Sequence, residues 1–154
     1  MKHVVYGRTR LERAQGELIA AVNGLDEQVE FGILVFDEQV RAWRDNLVEA
    51  TDENKRSAIR FVERLAAGSS TNTYAALRKS LDFDPQLEAI FILTDGKPTT
   101  GQIVDHPTIL MDILRRNEVN NITINAIAVA VEPLMATFLQ NLTEPSNGEF
   151  KEVR

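Results

Sequence analysis

Ile90-Phe91-Ile92-Leu93-Thr94-Asp95-Gly96-Lys97-Pro98-Thr99 is an uninterrupted apolar run that stops at a carboxylate and passes into turn-forming residues. Its apolar side chains fall on both faces of a strand, as suits a central strand of a parallel sheet covered by helices on each side. Gly96 and Pro98 then end the pairing. In such sheets ligands bind outside the carboxyl ends of the strands, so Asp95 is the first candidate for a functional residue.

Upstream of this strand lies a small, hydroxyl-rich loop, Gly68-Ser69-Ser70-Thr71-Asn72-Thr73, with helical periodicity resuming at Tyr74-Ala75-Ala76-Leu77. Ser69, Ser70 and Thr73 are candidate caps for that helix. Before the loop, Thr51 caps a helix predicted to reach residue 67, with Gly68 placed to close it. Residues 29–36 are apolar on both faces, and residues 39–43 alternate as a short edge strand paired in hairpin fashion with them. Asp37 and Asp45 read as solvated turn residues, and Trp43 as packing. The first helix starts after Thr9, with Leu11, Ala14, Leu18, Ala21, Val22 and Leu25 at helical spacing.

Downstream, a helix precedes Asn120-Asn121, residues 122–131 form another strand, Pro133 opens a helix, and residues 149–153 alternate as a last edge strand. Alternating strands and helices predict an α/β three-layer, doubly wound Rossmann-like sandwich, with a mainly parallel sheet and one antiparallel edge strand. A domain of this kind begins with a central strand, whereas this chain starts almost at its first helix.

The 154 residues fit one domain, and no apolar run approaches the ~20 residues of a membrane helix. Seventeen basic against 23 acidic residues give a net charge of −6, without clusters of Lys and Arg among aromatics, so nucleic acid is not an expected partner. No cysteine is present, which removes thiol catalysis and cysteine metal sites. The first residues lack the apolar core of a signal peptide. The two histidines, His3 and His106, show no metal-ligand spacing, and esterase, dinucleotide and P-loop motifs are absent.

The stretch Ile92-Leu93-Thr94-Asp95-Gly96-Lys97-Pro98-Thr99 and the loop Gly68 to Thr73, followed by Tyr74-Ala75-Ala76-Leu77, resemble the fourth-strand motif and the threonine loop of the von Willebrand factor type A domain, in its bacterial form. Leu11-Glu12-Arg13-Ala14-Gln15 is similar to that family's first helix, and residues 31–43 to its second and third strands. The resemblance implies a Mg²⁺ or Mn²⁺ ion on a metal-ion-dependent adhesion site, held by an Asp-x-Ser-x-Ser loop, a threonine and an aspartate, and adhesion-type protein binding through a partner's carboxylate. Carried over residue by residue, Thr71 corresponds to the threonine and Asp95 to the aspartate. The Asp-x-Ser-x-Ser loop has no counterpart here.

That departure leaves an incomplete site. Met1 corresponds to a methionine that often follows the missing loop, so residues 1–154 are expected to be a single domain truncated at its N-terminus. The central first strand is then absent, or replaced by residues 3–6. Two oxygen ligands plus waters should leave Mg²⁺ binding weak or absent. Two other readings stand beside the binding module: a metal-free structural or oligomerising fragment, with a homo-oligomer or strand swap at the vacant central strand, and, less favoured, a metal-dependent hydrolase using Asp95.

Overall fold

In a computed structural model, residues 4–5, 8–66, 68 and 70–153 are described, with the side chains of the first ten residues left aside. Helix α1 (Arg10–Asn23) and helix α2 (Asp52–Glu63) enclose the first half of the chain. Between them run β3 (Glu30–Phe31), β4 (Leu34–Phe36), β5 (Val40–Ala42) and β6 (Val48–Glu49), all short. β3 pairs with β6, and β4 with β5 in the expected hairpin, both antiparallel. The Thr51 hydroxyl accepts the Asn54 amide and starts α2 as expected. The helix ends at Glu63, however, with Arg64 as its cap, so Gly68 does not close it.

The second half alternates as predicted: α3 (Thr73–Leu81), β7 (Ala89–Thr94), α4 (His106–Asn120), β8 (Thr123–Val129), α5 (Pro133–Thr143) and β9 (Phe150–Val153). β7, β8 and β9 form a parallel sheet in that order, with Ile92 opposite Ala126 and Ala128 opposite Glu152. The Asn125 amide crosses all three strands, donating to the Ile90 carbonyl at 3.3 Å while its oxygen accepts the Glu149 amide at 2.8 Å. Asn121 ends α4 with φ 54°, a left-handed cap that asparagine tolerates.

Two apolar clusters make the core. One joins α3, α4 and α5 to the alternate residues Ile90, Ile92, Ile124, Ala126 and Ala128 of the parallel sheet; the other joins α1 and α2 to Phe31 and Ile33. β4 sits between them, Phe36 packing toward the first and Val35 toward the second, which gives three layers. On the sheet's other face, Glu17 of α1 pairs with Lys151 of β9 at 3.3 Å. Trp43 stacks on Phe31 at 5.3 Å, the packing role expected of it.

One expectation is corrected. β7 is not central: it ends the ladder among the described residues, and its second face, which α1 approaches, keeps Leu93 half-buried but leaves Phe91 68% exposed. At the N-terminus, β1 (Val4–Val5) is extended but pairs antiparallel with β2 (Arg8–Thr9), directly before α1. Among the described residues its backbone partners are local, in keeping with the first of the two alternatives, an absent central strand, while His3 and Tyr6 lie outside the described residues.

Candidate functional site

The carboxyl end of β7 delivers Asp95, half-buried, into a turn that Thr94 stabilises by donating its hydroxyl to the Gly96 carbonyl at 3.1 Å. The threonine loop comes to the same edge. The Thr71 amide donates to the Thr99 hydroxyl at 2.7 Å, and the Thr71 carbonyl accepts the amides of Thr99 at 2.9 Å and Thr100 at 3.3 Å. Residues 28 apart are thereby clasped, and the two loops singled out from sequence are joined through their backbones.

Asn72 organises the loop. Its side chain accepts the Ala75 amide at 3.1 Å and caps α3, a role expected of Ser70 or Thr73; Ser69 lies outside the described residues. Asparagine wins because its carbonyl reaches the amide three residues on while its nitrogen donates to the Glu38 carbonyl at 3.3 Å. The Asn72 amide also donates to the Asp37 carbonyl at 2.7 Å, so the turn after β4 buttresses the loop. On the opposite side Gly101, at φ 113°, passes so close that a β-carbon there would lie 2.2 Å from the Asn72 side-chain oxygen. Asp37, Asn72, Thr99 and Gly101 were not candidates by sequence, and only the hydroxyl-rich character of residues 99–100 hinted at one of them.

α3 is fixed from behind. The Tyr74 hydroxyl donates to Asp112 of α4 at 2.7 Å, and Arg116 donates to the same carboxylate at 2.8 Å. The Tyr74 hydrogen bond, followed by the one from Arg116, holds the Asp112 carboxyl below the usual carboxylate range. His106 opens α4 with its ring 4.6 Å from Phe138, consistent with packing.

The donors at this edge suit a hard cation in kind. Thr71 and Asp95 offer hydroxyl and carboxylate oxygens, and one loop hydroxyl, Thr73 Oγ1, is buried without a hydrogen-bond partner. In number they fall short. Among the described residues no three His, Asp or Glu side chains come together as a metal-holding group. The residues present do not make a cage for Mg²⁺ or Mn²⁺ by themselves.

Fold and loops together define a doubly wound α/β domain with its polar loops at the carboxyl edge of a parallel sheet. This chain belongs to the von Willebrand factor type A domain family, whose model matches residues 8–151. It is 31% identical over 121 residues to human von Willebrand factor A domain-containing protein 3A, covering 78% of this chain and 10% of that protein. Over 117 residues it is 29% identical to the mouse inter alpha-trypsin inhibitor heavy chain 4, covering 69% of this chain and 12% of the relative. It thus spans about a tenth of the length of these curated relatives. Among solved structures, the von Willebrand factor type A protein of Catenulispora acidiphila superposes with a TM-score of 0.78 at 21% identity, over 97% of this chain and 35% of that one. BatB of Bacteroides thetaiotaomicron gives 0.68 at 18% identity, over 94% and 80%.

Proposed function

We propose that residues 1–154 act as a single protein-binding module of adhesion type, not as an enzyme, with Thr71 and Asp95 as two corners of an incomplete metal-ion-dependent adhesion site. The observation that carries this reading is the clasp between Thr71 and Thr99, which holds the threonine loop against the loop that starts at Asp95. Family membership supports the class of function. Two protein ligands plus waters hold Mg²⁺ or Mn²⁺ weakly, because affinity for these ions grows with the number and rigidity of oxygen ligands. A partner's carboxylate would supply a further one. Hydrolysis through Asp95 would need a second acid or base, and the sequence offers no motif for it.

Calorimetric titration with Mn²⁺ and Mg²⁺ tests the site. Weak heats that vanish in Asp95→Ala and Thr71→Val support the reading; equal, negligible heats in all three proteins would leave a metal-free module. The structural or oligomerising alternative is favoured by one observation, Phe91 exposed on a β7 with no ladder partner on its outer side among the described residues. Sedimentation equilibrium on wild type and Phe91→Lys discriminates, since strand exchange or dimerisation at that edge predicts self-association that the lysine abolishes.

A further inference from the structure

A groove of 630 Å³ runs between the β4–β5 hairpin and α2, away from the parallel sheet. One wall carries Val35, Asp37, Arg41 and Trp43, which share a face because Val35 lies opposite Arg41 in the ladder and side chains alternate along each strand. The other wall carries Ser57, Arg60 and Phe61, which helical spacing puts on one side of α2, and Arg64 and Leu65, which follow at its carboxyl end. With Arg44 at the rim, four guanidinium groups face one carboxylate, in a chain whose net charge is −6.

Part of this charge has an internal use. Arg41 pairs with Asp37 at 3.5 Å, and Arg44 lies 4.8 Å over the Trp43 ring and donates to Ser57 at 3.0 Å. Arg60 and Arg64 stand near the carboxyl end of α2, where cations interact favourably with the helix dipole. That effect does not account for two further arginines arriving from a separate hairpin to face them. Nor do Arg60 and Arg64 have an ion-pair partner among the described residues.

From this charge and shape we infer that the groove is a docking site for an acidic peptide segment of another protein, its carboxylates on Arg41, Arg60 and Arg64 and an apolar side chain on Phe61 and Leu65. Arginine forks match carboxylates in two-point geometry, and an apolar floor shields those contacts from water. A short acidic segment feels the local field within a Debye length of about 8 Å, whereas a long polyanion also meets the acidic remainder of the surface. Trp43 already stacks with Phe31 and lies beneath Arg44, so it is not an open platform for a nucleic-acid base. The groove borders the Asp95 edge through Asp37, whose carbonyl accepts the Asn72 amide, but needs no cation there.

Trp43 is the single tryptophan of the chain and reports directly on the groove. Titration with a hexapeptide of four glutamates flanking a Phe-Leu pair should shift its fluorescence saturably, with affinity falling about tenfold between roughly 50 and 500 mM salt. R60E/R64E should weaken binding about tenfold or more, and R41A/R44A should do likewise, while R56E, on the same helix outside the groove, weakens it by less than about threefold. Far-UV circular dichroism confirms that each variant is folded, and the hairpin pair keeps the test decisive where the helix pair is not. Equal binding of a lysine-rich hexapeptide, equal behaviour of the groove variants and R56E, or tighter binding of a single-stranded oligonucleotide would each overturn the inference. So would self-association that the groove variants abolish in the absence of peptide binding.

Discussion

Thr71 and Thr99 hold each other twice: the Thr71 amide donates to the Thr99 hydroxyl at 2.7 Å, and the Thr99 amide donates back to the Thr71 carbonyl at 2.9 Å. The hydroxyl bond depends on the side chain and the second does not, so the contribution of the clasp can be separated by mutation. Thr99→Ala should cost about 0.5–1.5 kcal/mol, the net value of one hydrogen bond, and Thr99→Ser should restore most of it. Urea unfolding midpoints check this; an alanine variant as stable as wild type would show that water replaces the hydroxyl without loss.

Asn117 is a buried polar residue whose side chain both donates to the Ile122 carbonyl at 2.7 Å and accepts the Ile122 amide at 2.8 Å. It substitutes for a strand partner at the entry to β8. Asn117→Leu leaves two buried backbone groups unsatisfied and should cost about 2–4 kcal/mol, or roughly 5–10 °C in Tm for a domain of this size. Differential scanning calorimetry measures it, and a shift under about 2 °C would contradict this role.

At Gly148 a β-carbon would lie 1.7 Å from the Ile124 carbonyl oxygen, which is backbone and cannot swing aside. Gly148→Ala must displace the start of β9 from β8 and should cost at least about 2 kcal/mol. Gly96→Ala is the internal control. Nothing lies within 4 Å of its added carbon, so its stability should stay within about 0.5 kcal/mol of wild type. Equal unfolding midpoints for the two variants would refute the close approach.

Asp112 titrates below the ordinary carboxylate range because Tyr74 and then Arg116 bond to its ionised form. Its folded pKa is depressed, so it contributes stability above its unfolded pKa, near 4, and loses it as pH falls through the folded value. Tyr74→Phe should lower stability at pH 6 and flatten the fall below about pH 4, so that the two proteins converge in acid. Urea midpoints from pH 6 to 2.5 follow this. Parallel curves over the whole range would assign the loss to packing.

The candidate site was only partly legible from the chain. Thr71 and Asp95 stand out because each follows a local signal: a hydroxyl-rich loop before helical periodicity, and an apolar run ending at a carboxylate and turn residues. Their supports do not stand out. Asp37 and Gly101 act through a backbone carbonyl and close approach, which leave little mark on residue type, and the Thr99 hydroxyl meets a partner 28 residues away that no local pattern announces. Asn72 takes the cap that its hydroxyl neighbours were expected to supply, and its side chain also meets Glu38 in the turn between β4 and β5.

By itself the sequence determined the order of helices and strands, the Thr51 and Pro133 helix starts, and the family, since periodicity and caps are local properties of neighbouring residues. Tertiary structure decided which faces are covered. Phe91 sits in a run that reads as buried on both sides, yet is 68% exposed on a β7 that ends the ladder among the described residues. Likewise Arg41 and Arg44 meet Arg60 and Arg64 only when the β4–β5 hairpin packs beside α2, for charges far apart in sequence make a common field only where the fold brings them together.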